Sequence, residues 1–225
     1  MKVLELFAGT RSIGKAFEAH GHEVFSVEWD KRFEDIGLYA DILTVTAEDI
    51  RQKFGKPDVI WASPDCTTYS IAAIRKHRRK SENGDLLPVS EYAEFCDKVN
   101  AHVVELITNL SPTYYFIENP RGGLRKMSFM KGLPRYTVTY CQYGERRQKP
   151  TDIWTNHPCP GFKPPCKRGA PCHDAAPRRS KTGTQGLKGA AERAKIPALL
   201  CEHIVQICEK GECVGVEEKG EGEND

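Results

Sequence analysis

The feature that most limits what this chain can fold into is a recurring one: a short apolar run that stops on a glycine, an acid or a cysteine. Val3-Leu4-Glu5-Leu6-Phe7 stops at Ala8-Gly9, Glu23 to Val27 at Glu28, and Thr113 to Ile117 at Glu118-Asn119-Pro120. Pro57 to Ala62 leads into Cys66, and Asp41-Ile42 closes a shorter region. Apolar runs of this length, bounded by turn residues, predict buried strands. Helical patterns lie between them. One has Ser12 as N-cap and runs through Ile13, Ala16 and Phe17 to Gly21; another covers 91–109 with Phe95, Val99, Val103, Leu106 and Ile107 on one face. Arg135 to Tyr140 and Ile153-Trp154 read as the last strands. Strands alternating with helices predict an α/β fold, a doubly wound and mostly parallel sheet. Such sheets bind ligands beyond the carboxyl ends of their strands. Gly9, Glu28, Asp41, Cys66 and Glu118 all fall there, and together they describe a site.

The chain has 225 residues, 39% of them hydrophobic and 28% charged, which suits one globular domain. No stretch approaches the ~20 apolar residues of a membrane span, and MKVLELFAG lacks the layout of a signal peptide, so membrane and secreted classes are disfavoured. Nine cysteines, an odd number split between dispersed apolar positions and one local cluster, read as reduced thiols of a cytoplasmic protein. The net charge of +2 hides an asymmetry. Arg75, Lys76, His77, Arg78, Arg79 and Lys80 form one basic run. Lys163, Lys167, Arg168, Arg178, Arg179, Lys181 and Lys188 form a second, and the acidic, glycine-rich stretch from Glu209 to Asp225 reads as a disordered tail. Without that tail the folded part is basic, as a phosphate-binding surface would be. The alternative for each run is an ordinary solvated face.

A strand, a glycine turn and a helix present backbone N–H groups to a nucleotide-like ligand. Glu28, about 20 positions after the turn, is placed to accept from ribose hydroxyls. Trp29 offers a face to an adenine ring and Asp41 an acceptor for its amino group. Gly9-Thr10-Arg11-Ser12 has one glycine where a dinucleotide site wants three, which disfavours a pyrophosphate-binding enzyme; a plain α/β turn remains the alternative. Ser63-Pro64-Asp65-Cys66-Thr67-Thr68-Tyr69-Ser70 puts a cysteine on a proline-fixed polar loop, an unusual setting for a structural thiol.

Phe7-Ala8-Gly9, Glu28-Trp29, Asp41-Ile42, Pro64-x-Cys66 with Tyr69-Ser70, and Glu118-Asn119 occur in the order found in C5-cytosine DNA methyltransferases, which the chain resembles over about residues 3–154. The resemblance implies a class I methyltransferase-like fold and S-adenosylmethionine as cofactor, held by Phe7, Ala8, Gly9, Thr10, Glu28, Trp29, Asp41, Ile42 and Pro64. It implies a Cys66 thiolate adding to cytosine C6, Glu118 hydrogen-bonding N3 and the amino group, and a base flipped out of DNA. The implied protein is a monomer working on DNA in a bacterial or phage-infected cell. Several departures stand out. Asp65 replaces the usual proline and Thr67 the usual glutamine. The Gln-x-Arg-x-Arg element is worn to Gly144-Glu145-Arg146-Arg147-Gln148-Lys149, leaving Arg147 or Lys149 to hold the cytosine carbonyl. Arg193-Ala194-Lys195-Ile196-Pro197 stands where Gly-Asn is usual. Two other readings stay open: a non-catalytic DNA-binding relative, and the same chemistry with a carboxylated S-adenosylmethionine met by Arg193 and Lys195.

These readings divide the chain into a cofactor-binding and catalytic domain (1–154), a short basic recognition segment (155–192), a returning helix (193–209) and the tail (210–225). Arg75, Lys76, Arg78, Arg79, Lys80, Arg178, Arg179 and Lys181 are the expected DNA contacts. The recognition segment has no apolar periodicity and cannot build its own core. Cys159, Cys166, Cys172 and His173 (or His157) offer a tetrahedral zinc set, but no CxxC knuckle is present, so an unstapled loop is the alternative.

Overall fold

The computed structural model of the protein describes residues 1–167, 169–174 and 189–211. Arg168, Arg178, Arg179, Lys181, Lys188 and the tail beyond Gly211 lie outside the described residues. In chain order come β1 (Lys2–Leu6), α1 (Ser12–Ala19), β2 (Glu23–Glu28), β3 (Leu38–Tyr39), α2 (Ala47–Lys53), β4 (Val59–Ala62) and the one-turn α3 (Ile74–His77). Then follow β5 (Arg78–Lys80), β6 (Leu86–Pro88), α4 (Glu91–Leu110), β7 (Tyr114–Pro120), β8 (Arg135–Thr139), β9 (Pro150–Thr155), α5 (Ala190–Ala194) and α6 (Ala198–Lys210). The main sheet has the order β3-β2-β1-β4-β7-β9-β8. It is parallel from β3 to β7, and β9 runs antiparallel to both β7 and β8. This is the mostly parallel α/β sheet that the alternating pattern predicts.

Successive strand residues feed two cores, because side chains of a strand alternate between its faces. Leu4, Leu6, Ile60 and Ala62 pack with Val99, Val103, Leu106 and Ile107 of α4 on one face. Val3, Val59 and Trp61 pack with Ile13 and Phe17 of α1 and with Leu200 and Ile204 of α6 on the other. Both faces are covered, which is why the strands read as unbroken apolar runs. Helix α6 thus packs against the sheet and α1, and each of its buried Leu or Ile side chains contributes roughly 2 kcal/mol.

The start of α1 differs from expectation. Its cap residue is Arg11, in the left-handed region at φ 56, with no side-chain cap. Glu5 reaches across from β1 instead and accepts from the Gly14 N–H at 3.0 Å, satisfying a free donor of the first turn from the sheet. Ser12 Oγ is left to Thr10 Oγ1 at 3.2 Å and to the Ile196 N–H at 3.4 Å.

Candidate active site

Strands β4 and β7 lie side by side with Ala62 opposite Ile117, so the residues that follow them emerge at one edge. Glu118 sits there on β7, only 5% exposed. After β4 the chain turns through Pro64 and Asp65, whose carboxylate accepts from the Thr67 N–H and from the Tyr92 hydroxyl. The Cys66 carbonyl then accepts from the N–H groups of Tyr69 at 3.1 Å and Ser70 at 2.9 Å. Asn119 Nδ2 donates to the Pro64 carbonyl at 3.0 Å, fixing the cysteine loop to the strand that bears Glu118. The Gly123 N–H donates to the Tyr69 carbonyl at 2.7 Å, and that carbonyl leaves no room for a Cβ on Gly122. From the other side, the Tyr69 hydroxyl donates to Asp97 Oδ1 at 2.6 Å.

Cys66 is a free thiol. Burial, then the charges of Glu118 and Asp65, push it up to about 11, and the Lys149 ammonium acts against them. The Tyr140 hydroxyl donates to Glu118 Oε1 at 2.9 Å, and burial keeps this phenol neutral far beyond its ordinary range. Lys149 Nζ is 3.9 Å from the same Oε1, lies 4.3 Å from the Tyr140 ring centroid and donates to the Arg193 carbonyl at 3.3 Å. Its backbone is held at φ 28, a strained value for a residue with a side chain. Both described contacts of Glu118 go to Oε1, which orients the carboxyl. Arg147 does not join this group. It is buried against Glu145, with Nε to Oε2 at 2.6 Å, and also reaches the Arg193 carbonyl at 3.4 Å. Of the two cations expected near the base, the structure therefore brings in Lys149 and leaves Arg147 bracing the Glu145 turn.

Beside this cluster lies a cavity of about 410 Å³ lined by Phe7, Glu28, Trp29, Asp41 and Ile42, together with Val27 and Ala40. That volume is ordinary for a small-molecule site. Glu28 accepts from the N–H groups of Gly9 at 2.9 Å, Trp29 at 2.9 Å and Asp30 at 3.0 Å, leaving part of its roughly four-site acceptor capacity. Trp29 is 73% exposed at the rim, a large apolar face without cover. Asp41 caps the 3₁₀ turn Ile42–Thr44 through the Leu43 N–H. Ala8, Gly9, Thr10 and Pro64 are not among the lining residues; Gly9 is tied to the site through its N–H to Glu28, and Phe7 and Gly9 have φ 58 and 49. Helix α4 supplies a wall that sequence reasoning missed: Tyr92, Phe95, Cys96, Val99 and Asn100, with Asp65 from the cysteine loop. Phe95 was counted as core, yet it is 43% exposed; a polar Asn100 within an apolar helical stripe was the available signal.

The slot is apolar, with three carboxylates, Glu28, Asp41 and Asp65, and an open indole, a lining that suits a nucleoside-sized ligand. Arg193 and Lys195 do not line this cavity, and Lys195 pairs with Glu192 at 2.8 Å, so a carboxylated donor gains no support from them.

The first basic run is not a uniform surface. Arg75, Lys76, Arg79 and Lys80 are exposed. Arg78 is buried, which corrects its expected place on DNA: it pairs with Asp97 Oδ1 at 2.7 Å, donates to the Thr68 carbonyl at 3.0 Å and stacks 4.1 Å from the Tyr69 ring. The physical reason is the β5–β6 hairpin: alternation puts Arg78 on the face opposite Arg79, and at Arg78 that face meets Ala93 and Asp97 of α4 and the Tyr69 ring, which Lys80 farther along does not. The sulfur cluster also differs from expectation. Cys166, Cys172 and His173 converge, but their fourth neighbour is Cys141. Cys159 lies outside the group and is disulfide-bonded, which corrects both its place among the zinc ligands and the reading of all cysteines as reduced thiols. It follows the far end of β9, next to His157, whose ring is tilted against Tyr114 with centroids 4.5 Å apart. Cys141 instead sits in the 3₁₀ turn Tyr140–Tyr143 after β8.

Known proteins fit this geometry. The family model of the C-5 cytosine-specific DNA methylases matches residues 1–128. A "Probable DNA (cytosine-5)-methyltransferase" of Frog virus 3 (isolate Goorha) is 27% identical over 235 residues, covering 92% of this chain and 100% of that protein. Among solved structures, a prophage-encoded "putative DNA modification methyltransferase" of E. coli superposes with a TM-score of 0.50 at 17% identity over 69% of this chain and 46% of its own. The Entamoeba histolytica methyltransferase EhMeth gives 0.50 at 12% identity, over 69% of this chain and 52% of its own. The chain thus spans about half the length of these two structures, which share its fold. Among the described residues, no helix is long and apolar enough to cross a membrane.

Proposed function

The chain belongs to the C-5 cytosine-specific DNA methylase family, and from that premise we propose that it methylates cytosine in DNA at C5 through a covalent Cys66 adduct. The observation that carries this reading is the delivery of Cys66 and Glu118 to one sheet edge, beside a cavity suited to adenosine. Cytosine C5 becomes nucleophilic once a thiolate has added to C6, because the enamine so formed pushes electrons to C5. Cys66 passes its proton to solvent and forms that C–S bond as a thiolate, and Glu118 in its acid form donates a hydrogen bond to N3 as charge gathers there. Tyr140 and Lys149 hold Glu118 by Oε1 and leave its other oxygen for the base; Lys149 is the cation nearest the cytosine carbonyl. S-adenosylmethionine, when bound, supplies an electrophilic methyl group. The C5 proton then leaves to solvent, the C–S bond breaks, and Cys66 departs as thiolate.

One chain supplies both the cavity and the catalytic pair, so a monomer suffices. The target base must leave the duplex to meet a thiol at the end of β4. Arg75, Lys76, Arg79 and Lys80 contact phosphates, joined by Arg178, Arg179 and Lys181. A recognition segment this short reads few bases, which implies a short or relaxed target sequence. Among the described residues seven cysteines are free thiols, which favours a reducing compartment such as the cytoplasm, while the disulfide-bonded Cys159 speaks against it. A zinc ion, the second cofactor of this reading, belongs to the segment after β9 and not to the chemistry. Trapping on DNA with 5-fluorocytosine tests the proposal. A stable adduct through Cys66, with 5-methylcytosine found on normal DNA by bisulfite sequencing, is expected; DNA binding without an adduct would establish the non-catalytic relative.

A further inference from the structure

Behind the wall that holds Glu118, four ligating atoms converge. Cys141 Sγ, Cys166 Sγ, Cys172 Sγ and His173 Nδ1 lie within 4.8 Å of one another. The separations are 3.0 Å for Cys141–Cys166, 3.6 Å for Cys141–Cys172, 3.5 Å for Cys166–His173 and 3.6 Å for Cys172–His173. Zinc bonds of about 2.3 Å to sulfur and about 2.0 Å to nitrogen put tetrahedral ligands roughly 3.5–3.8 Å apart. Of the tetrahedron's six edges, three of these four already meet that spacing, the Cys141–Cys166 edge has to open, and the remaining two lie within 4.8 Å. All three cysteines are free thiols. Amide donors stand where thiolate ligands need them: Gln148 Nε2 is 3.3 Å from Cys166 Sγ and Gln142 Nε2 is 3.5 Å from Cys172 Sγ.

We infer that Cys141, Cys166, Cys172 and His173 bind a structural zinc ion that ties residues 166–173 to the wall carrying Tyr140 and Lys149. Three thiolates and one imidazole in a tetrahedron select zinc over harder cations, and four protein ligands leave no open position for catalysis. The connections to the wall are short. Cys141 follows Tyr140, the donor to Glu118, and Gln148 precedes Lys149, while Gln148 Nε2 also reaches the Cys166 carbonyl at 3.3 Å. Among the described residues of 156–174 there is no helix or strand, and the segment is held by side-chain contacts such as His157 to the Ile207 carbonyl, His203 to the Pro160 carbonyl and Arg146 to Asp174. Its last ligand stands five residues before Arg178, where the basic stretch resumes. The inference deepens the reading of this segment as DNA-recognising, but its test needs neither DNA nor methyl donor.

Elemental analysis of the purified full-length protein, prepared without chelator, is expected to find one zinc per chain. Cys159→Ser should keep it, and Cys166→Ser and Cys172→Ser should lose it. Because a ligand variant can misfold, the wild-type protein is also loaded with cobalt(II); thiolate charge-transfer bands and intense tetrahedral ligand-field bands are expected. Stripping the metal should speed tryptic cleavage at Lys167. Folded wild-type protein that takes up neither metal, a Cys141–Cys166 disulfide in fresh protein, or loss of zinc in Cys159→Ser overturns the site. Failure to methylate DNA by protein that holds zinc would instead count against the proposed function.

Discussion

Cys66 carries a burden at the residue scale: the proposed nucleophile sits where burial and two carboxylates hold its proton. With the thiol pushed up to about 11, its thiolate fraction in the free protein grows about tenfold per pH unit up to that value. Iodoacetamide labelling of the Cys66 peptide, followed by mass spectrometry, should therefore be slow at neutral pH and climb without a plateau through pH 9; a plateau near neutrality would refute this environment. Cys66→Ala should abolish both the fluorocytosine adduct and methylation while leaving cofactor affinity within about twofold. Glu5 titrates in the opposite part of the pH range. Burial raises its carboxyl from 4.5 to about 7, against hydrogen bonds from Gly14 and Ser26. The native state then binds the proton more tightly than the unfolded chain, so its contribution is complete below about 4.5 and is lost as pH rises to about 7. The loss is about 3 kcal/mol. Urea denaturation of wild type and Glu5→Gln across this range checks it, because only the wild type should show this decline.

At the scale of elements, the β5–β6 hairpin divides one basic run into two jobs. Arg78→Met removes the buried partner of Asp97 and the clamp on Tyr69, and should cost about 3 kcal/mol of stability by urea denaturation. Arg79→Ala should leave stability unchanged and reduce the salt slope of DNA binding by about one. Equal stability losses in the two variants would contradict the division. Gly122→Ala presses on the Tyr69 carbonyl and so on the turn that begins at Cys66. It should lower kcat with little change in cofactor affinity, as single-turnover and calorimetric measurements would show.

In the proposed reaction the whole molecule brings two ligands together at the carboxyl ends of its strands, the donor to the cavity beside β1, β2 and α4 and the base to the ends of β4 and β7. S-adenosylmethionine should stabilise the protein against heat even without DNA, by about 2.7 kcal/mol at a hundred times its Kd. Trp29→Ala should weaken that binding by about tenfold or more, since an aromatic face against a base is worth roughly 1–3 kcal/mol. An unchanged thermal shift in Trp29→Ala would place the adenine elsewhere.

The sequence by itself determined most strands of the main sheet and the sheet class, because burial on both faces writes apolar runs directly into the chain; the polar β5–β6 hairpin and the 3₁₀ turn that follows Asp41 carry no such run and were not legible. It also named Cys66, Glu118, Glu28 and Trp29, since each interrupts such a run with chemistry the core does not need. Only the tertiary structure decided which neighbours those residues meet. Arg78 and Arg79 are adjacent and equally charged, and strand alternation alone sends one inward and one to solvent. Cys141 and Cys159 are both cysteines near β9, but the antiparallel return of β8 and β9 brings the first to Cys166 and carries the second to the opposite end of the sheet. Lys149 rather than Arg147 meets Glu118 for a similar reason: backbone direction through a turn at φ 28 is a property of the folded chain, fixed by contacts distant in sequence.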